Sequence, residues 1–178
     1  MHGIFLGLGS NCGNCTRLLR DALVLLEEKG VVVMQQSSVY ETEAFLTQDQ
    51  ENQKNYLNMV VEVETDLPVV DLLYACREVE SLLGRVRGEG EVRWGARTID
   101  IDILLYGDVV VGWSEMVPGD TLSELVVPHP RMHERNFVLV PFVEIGGEVM
   151  HPVFGVSIID LLRASKDTHR VVMSGVLF

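Results

Sequence analysis

Three cysteines in 178 residues are an odd number and too few for a disulfide framework, and they fit a reducing compartment. No apolar run approaches the ~20 residues that a membrane-spanning helix needs. The first residues, MHGIFLGLGSN, lack the basic region, long apolar segment and small-residue cleavage site of a secretory signal. Positive charge is scarce: 14 Lys and Arg stand against 26 Asp and Glu, a formal charge of −12. That balance argues against general binding to nucleic acid or anionic membrane. Repeats, low-complexity segments and linkers are also lacking. The chain is therefore expected to form one domain over residues 1–178 and to be cytoplasmic.

What is present reads as an ordinary globular chain, 47% hydrophobic and 22% charged. GIFLGLG at 3–9 predicts a first strand. Leu18, Leu19, Ala22, Leu25 and Leu26 fall at helical spacing over 15–29, and Gly30 stops that helix. VVVMQQSSVY at 31–40 and YLNMVVEVET at 56–65 predict strands, separated by a long polar segment, 41–55. A second amphipathic helix is predicted over 69–83, ended by Gly84, and a further strand at about 98–105. Short edge strands are expected at 109–111 and 124–127. A helix is expected over 133–145, kinked or restarted at Pro141, and a last short helix over 157–165. The order β-α-β-β-α-β with additions is that of an α+β ferredoxin-like sandwich, an antiparallel sheet with helices packed on one face.

The chemistry concentrates in RWGARTIDIDILLYGD, residues 93–108. Residues two apart on a strand share a face, so Asp100 and Asp102 present two carboxylates side by side while Ile99, Ile101 and Ile103 face the other way. Adjacent carboxylates raise one another's pKa unless a cation lies between them, and hard divalent ions bind such oxygen pairs. Arg77, Arg85, Arg87, Arg93 and Arg97 cluster just before the acids. Guanidinium groups match phosphate oxygens in two-point geometry, so the combination points to phosphoryl transfer. Alternatives stay open at this stage. The acids could be solvated or paired with the arginines. Cys12 and Cys15 form a C-x-x-C that could be redox-active. His129 and His133 stand four apart, but Pro130 between them opposes a zinc-binding helix. A ferredoxin-like module that merely binds nucleotide or RNA is the rival from another class, disfavoured by the acid pair and the acidic charge.

With LGLGSN at 6–11, SSVYET at 37–42, YLNMVVEVET at 56–65, VESLLGRVR at 79–87, the 93–108 block and VPHPRMHERNFVLVPFVEI at 127–145, the sequence resembles the 6-hydroxymethyl-7,8-dihydropterin pyrophosphokinases over nearly its whole length. The resemblance implies transfer of the β,γ-pyrophosphoryl unit of ATP to the pterin hydroxymethyl group, with release of AMP, in folate biosynthesis, by a monomeric chain whose partners are small molecules. It implies two Mg²⁺ ions held by Asp100 and Asp102, with Arg87 and Arg97 beside them as catalytic groups. ATP contacts would come from Glu80, Arg93, Ile103, His129 and Arg135. The pterin would be sandwiched by Tyr56 and Phe137, read along its edge by Asn58, met by Thr42 and covered by Trp94. The sequence departs from the family pattern at Glu43, Ala44, Gly88, Ala96, Glu124 and Val126. Ala96 implies a less rigid loop, Glu43 and Ala44 a looser pterin loop, and the others weaker contacts to ATP.

Overall fold

A computed structural model describes residues 3–43, 54–86, 97–113 and 125–175. Strand β1 (Ile4–Ser10) leads into α1 (Cys15–Glu28), then β2 (Val32–Gln36), β3 (Tyr40–Thr42) and β4 (Tyr56–Glu64). Helix α2 (Val69–Leu82) precedes β5 (Asp100–Tyr106). A 3-10 turn (Met132–Glu134), α3 (Asn136–Gly146), α4 (Ile158–Ala164) and β6 (Val171–Met173) complete the chain. The strands pair antiparallel in the order β5-β1-β4-β3-β6, with β2 also on β4. This is the ferredoxin-like arrangement, with β1 and β4 at its centre. Among the described residues, no helix is long and apolar enough to cross a membrane.

Local chemistry sets the element ends. Asn14 caps α1, its side chain accepting the Arg17 N–H at 3.1 Å. Gly30 and Gly84 follow α1 and α2 with φ of +78° and +84°, the left-handed geometry in which a helix ends and a Cβ is unfavourable. The predicted strand over 31–40 is divided in two. Ser37 pairs with Val60 through both its backbone and its hydroxyl, while the backbone N–H and hydroxyl of Ser38 turn to the Glu144 carboxylate. A shift of register between Val33 and Gln35 adds a bulge. Among the described residues, the expected edge strands reduce to one bridge, Val111 to Val127. The third helix starts later than expected, at Asn136, and runs through Pro141 without restarting.

The sheet is covered on both faces, which corrects the expectation of helices on one. Leu6, Leu8, Val61, Val63, Ile101 and Ile103 pack with Leu19, Leu26, Leu72 and Val79 of α1 and α2. Phe5, Val60 and Leu104 pack on the other face with Leu139 and Phe142 of α3 and Ile158 of α4. The Phe5 and Phe142 rings lie 4.5 Å apart. Met59, Val60 and Val61 are consecutive and all buried, which a strand permits only when both of its faces are covered.

Candidate active site

Three strands form the floor of one cavity of about 280 Å³. In register across β5, β1 and β4, Asp100 lies beside Gly9 and Asn58, and Asp102 beside Gly7 and Val60. The central strand contributes no side chain here, so a trough runs between the acids and Asn58. A Cβ on Gly9 would stand 2.7 Å from Asn58 Oδ1, whereas one on Gly7 would meet only the tip of Leu104, at 3.3 Å. Ile99, Ile101 and Ile103 are buried in the core under the opposite face, as the strand period requires.

The acids occupy different electrostatic settings. Arg85 bonds one oxygen of Asp100 and Arg97 the other. Burial works against the Asp100 charge, but Arg97 and Arg85 outweigh it and hold the carboxyl below its usual range. Asp102 is pushed up to about 7, by burial first and then by the Asp100 charge, against the pull of Arg135, Arg97 and Arg85. Its neighbour is His129, whose Nε2 lies 3.9 Å away. Burial and then Arg135 lower His129 to about 4, so the ring is neutral at pH 7. Its Nδ1 accepts the Arg131 N–H at 3.2 Å, which places the proton on Nε2.

The donor set suits a hard divalent ion. Two carboxylates share a face, and burial followed by the Asp100 charge makes Asp102 resist ionisation, which a bound cation would offset. Among the described residues no group of three or more His, Cys, Asp or Glu is arranged to hold a metal. Mg²⁺ needs no such cage, because it binds through one or two carboxylates and completes its shell with water and phosphate oxygens. His133 lies against Phe154 at 4.8 Å, while His129 faces Asp102, so the histidines do not form a pair. Cys12 and Cys15 are free thiols outside the cavity lining.

The other half of the cavity is apolar and aromatic. Tyr56 and Asn58 stand on β4, and Phe137 in the first turn of α3. Thr42 is buried opposite Tyr56, and its Oγ1 accepts from Asn58 Nδ2 at 2.7 Å. That bond leaves Asn58 Oδ1 over the Gly9 backbone, presented to the cavity. The Arg135 guanidinium lies 5.6 Å from the Phe137 ring centroid.

Most of the expected residues therefore converge: Thr42, Tyr56, Asn58, Arg97, Asp100, Asp102, Arg135 and Phe137 line the cavity, with His129 against Asp102. Arg87, Arg93 and Trp94 lie outside the described residues, as do Ala44, Gly88, Ala96 and Glu124. Glu80 and Ile103 are not in the cavity lining. Ile103 belongs to the core. Glu80 is buried beneath β5, where it accepts the Ile101 N–H at 2.8 Å and Arg85 Nη1 at 2.5 Å. Arg85 is a residue that sequence reasoning left in an undifferentiated cluster. Arg131 and the two floor glycines were also missed, although Gly7 and Gly9 at spacing two were a readable sign of one bare strand face.

A model of the family described as 7,8-dihydro-6-hydroxymethylpterin-pyrophosphokinase matches residues 5–147. A Bacillus subtilis protein named 2-amino-4-hydroxy-6-hydroxymethyldihydropteridine pyrophosphokinase is 42% identical over 146 residues, covering 82% of this chain and 78% of that one. A protein of the same name from Aquifex aeolicus is 38% identical over 154 residues, 86% of each chain. In folic acid synthesis protein fol1 of Pneumocystis carinii, the match is 37% over 155 residues, 87% of this chain but only 19% of that one. Among solved structures, wild-type Plasmodium falciparum HPPK-DHPS with SDX-DHP superposes with a TM-score of 0.64 at 17% identity. The superposition covers 92% of this chain and 43% of that one, a likeness of fold. By the extent of the family match and the 42% identity to a relative covered over 78% of its length, this chain belongs to the 7,8-dihydro-6-hydroxymethylpterin-pyrophosphokinase family.

Proposed function

We propose that this chain moves the β,γ-pyrophosphoryl group of ATP to the hydroxymethyl oxygen of 6-hydroxymethyl-7,8-dihydropterin, within folate biosynthesis. The pterin hydroxyl gives up its proton, which passes to solvent, its oxygen bonds to the β-phosphorus, the bond from that phosphorus to the α,β-bridging oxygen breaks, and AMP leaves. The observation that carries this reading is one cavity with two unlike halves, Asp100, Asp102 and Arg97 at one end and Tyr56, Asn58 and Phe137 at the other. A polyanion and a flat heterocycle each find suitable chemistry there, and they meet above the bare Gly7–Gly9 strand.

At the anionic end, Asp100 and Asp102 would hold Mg²⁺, two ions being the family expectation. The metal supplies positive charge that neutralises the phosphate oxygens and fixes their geometry. Arg85 and Arg97 hold the Asp100 carboxylate ionised and in place. Arg97, Arg131 and Arg135 line the same end and supply planar donors for phosphate oxygens. His129, neutral with its proton on Nε2, presents a donor rather than a second cation. At the apolar end, Tyr56 and Phe137 stack the pterin, and Asn58 Oδ1, oriented by Thr42, accepts from its polar edge. Holding the hydroxymethyl group in line with the β-phosphorus rather than the γ is then a matter of position. Arg87, Arg93 and Trp94 are assigned to phosphate, nucleotide and pterin by family resemblance. We read the protein as a cytoplasmic monomer.

The test is AMP release from ATP and Mg²⁺, with and without the pterin, by the wild type and by Asp102→Asn. Pterin-dependent AMP without ADP is expected, with turnover in the variant down by at least about 100-fold for loss of a metal carboxylate. ADP as product, or near-normal AMP release by Asp102→Asn, contradicts the reading.

A further inference from the structure

The segment after α4 lies beyond the family match, which ends at residue 147, yet it touches both walls of the pterin end. Strand β6 pairs with β3 so that Val171 lies opposite Thr42, and the Glu43 N–H donates to the Arg170 carbonyl at 3.4 Å. Three residues earlier, Asp167 reaches the start of α3. Its Oδ2 accepts the Asn136 N–H at 2.7 Å, and its backbone carbonyl accepts from Asn136 Nδ2 at 2.9 Å. Helix α3 receives no capping bond from Arg135, the residue at its own N-cap position. A helix start leaves several N–H groups without partners, and a carboxylate there is favoured by both hydrogen bonding and the helix dipole.

Asp167 is itself held firmly. Its side chain is 4% exposed. Its Oδ1 accepts the His169 backbone N–H at 2.9 Å and lies 2.5 Å from His169 Nδ1, while its own N–H donates to Ser165 Oγ at 3.2 Å. The residue it grips, Asn136, is flanked by Arg135 and Phe137, both in the cavity lining. We propose that Asp167 is a positioning residue: by capping α3 from the C-terminal segment, it sets where Phe137 and Arg135 stand in the pterin cavity. The segment would thereby couple the Thr42 wall to the Phe137 wall. This inference rests on the assignment of Phe137 to pterin stacking.

The experiment measures pterin affinity by titration calorimetry with 6-hydroxymethyl-7,8-dihydropterin, well below each variant's Tm. A merely structural role would lower Tm and leave this Kd alone. Asp167→Ala removes the acceptor and should raise the pterin Kd about tenfold. Asn136→Pro removes both Asn136 donors, the N–H and the side-chain Nδ2, with Asp167 intact. Proline suits the first helical position, and Arg135 before it already has extended backbone (φ −128°, ψ 105°). It should weaken pterin to a similar degree, and adding Asp167→Ala to it should then change Kd by less than about twofold. A folded Asp167→Ala with a Kd within about twofold of wild type overturns the proposal. So does an Asp167→Ala loss that persists in full on the Asn136→Pro background. If Asp167→Ala does not fold, normal pterin affinity in Asn136→Pro overturns the proposal. Phe137→Ala separates the two levels: unchanged pterin affinity there removes the stacking assignment itself, whereas weakened affinity beside a normal Asp167→Ala removes only the positioning role.

Discussion

At the scale of single residues, the site depends on two departures from ordinary strand chemistry, a missing side chain and a reluctant charge. Gly9 lies under Asn58, and a methyl there would meet Oδ1 at 2.7 Å, closer than real Cβ contacts come. Gly9→Ala should therefore push the Asn58 carboxamide from its place and raise the pterin Kd by about tenfold or more, through loss of one oriented hydrogen bond. Gly7→Ala meets the Leu104 side chain no closer than 3.3 Å and should stay within about threefold in the same titration. Equal losses would mean that the trough as a whole, not Asn58, responds to the added methyl. The reluctant charge belongs to Asp102, pushed up to about 7. An acid whose folded-state pKa is raised stabilises the fold in full below its ordinary value of 3.8, and that contribution is lost as the pH climbs through about 7. His129, lowered to about 4, acts in the opposite direction: its contribution is present above 6.5 and lost as the pH falls toward 4. Comparing metal-free wild type with Asp102→Asn cancels the His129 part. The Tm difference between them should fall from pH 4 to 7 and flatten above. A difference independent of pH would contradict the raised pKa of Asp102.

At the scale of elements, β5 is fixed from below. Glu80 of α2 is buried with the Ile101 N–H and Arg85 as partners, and Arg85 passes above to Asp100. Removing one partner of a buried ion pair costs far more than the pair contributes, so Glu80→Ala should destabilise the protein by about 3–5 kcal/mol. Denaturant unfolding measures this, and a loss under about 1 kcal/mol would mean that Glu80 does not hold β5 and Arg85 in place. The elements were largely legible in the sequence. Leu19, Ala22 and Leu26 at helical spacing and the glycines at 30 and 84 placed α1 and α2 to within a residue at their ends. The break between β2 and β3 was not legible, because there Ser38 bonds Glu144, more than 100 residues away along the chain. The Asp100–Asp102 face followed from strand period alone. Glu80 could be singled out only by family resemblance, and its actual partners, Ile101 and Arg85, follow from how α2 lies under β5.

At the scale of the whole molecule, function and stability are divided between the faces of the sheet. The β-α-β-β-α-β order predicted the α1/α2 layer, but the second layer, α3 and α4, turned an open sheet face into a core at one end and a cavity at the other. The consecutive buried residues of β4 held that information, although alternation was the more conspicuous pattern. Helix α3 serves both ends of this face. Phe142 is fully buried against Phe5, and Phe137, five residues earlier, opens into the cavity. The two phenylalanines should therefore separate cleanly. Phe142→Ala leaves a cavity in a packed core and should cost about 3–5 kcal/mol of stability, read by denaturant unfolding. Its pterin affinity, measured where the protein remains folded, should stay near wild type. Phe137→Ala removes a partly exposed ring and should cost less than about 1.5 kcal/mol of stability, while pterin binding falls by about tenfold or more through lost stacking. If both substitutions reduced stability and affinity in the same proportion, α3 would be one cooperative unit. The division between a load-carrying end and a ligand-facing end would then be wrong.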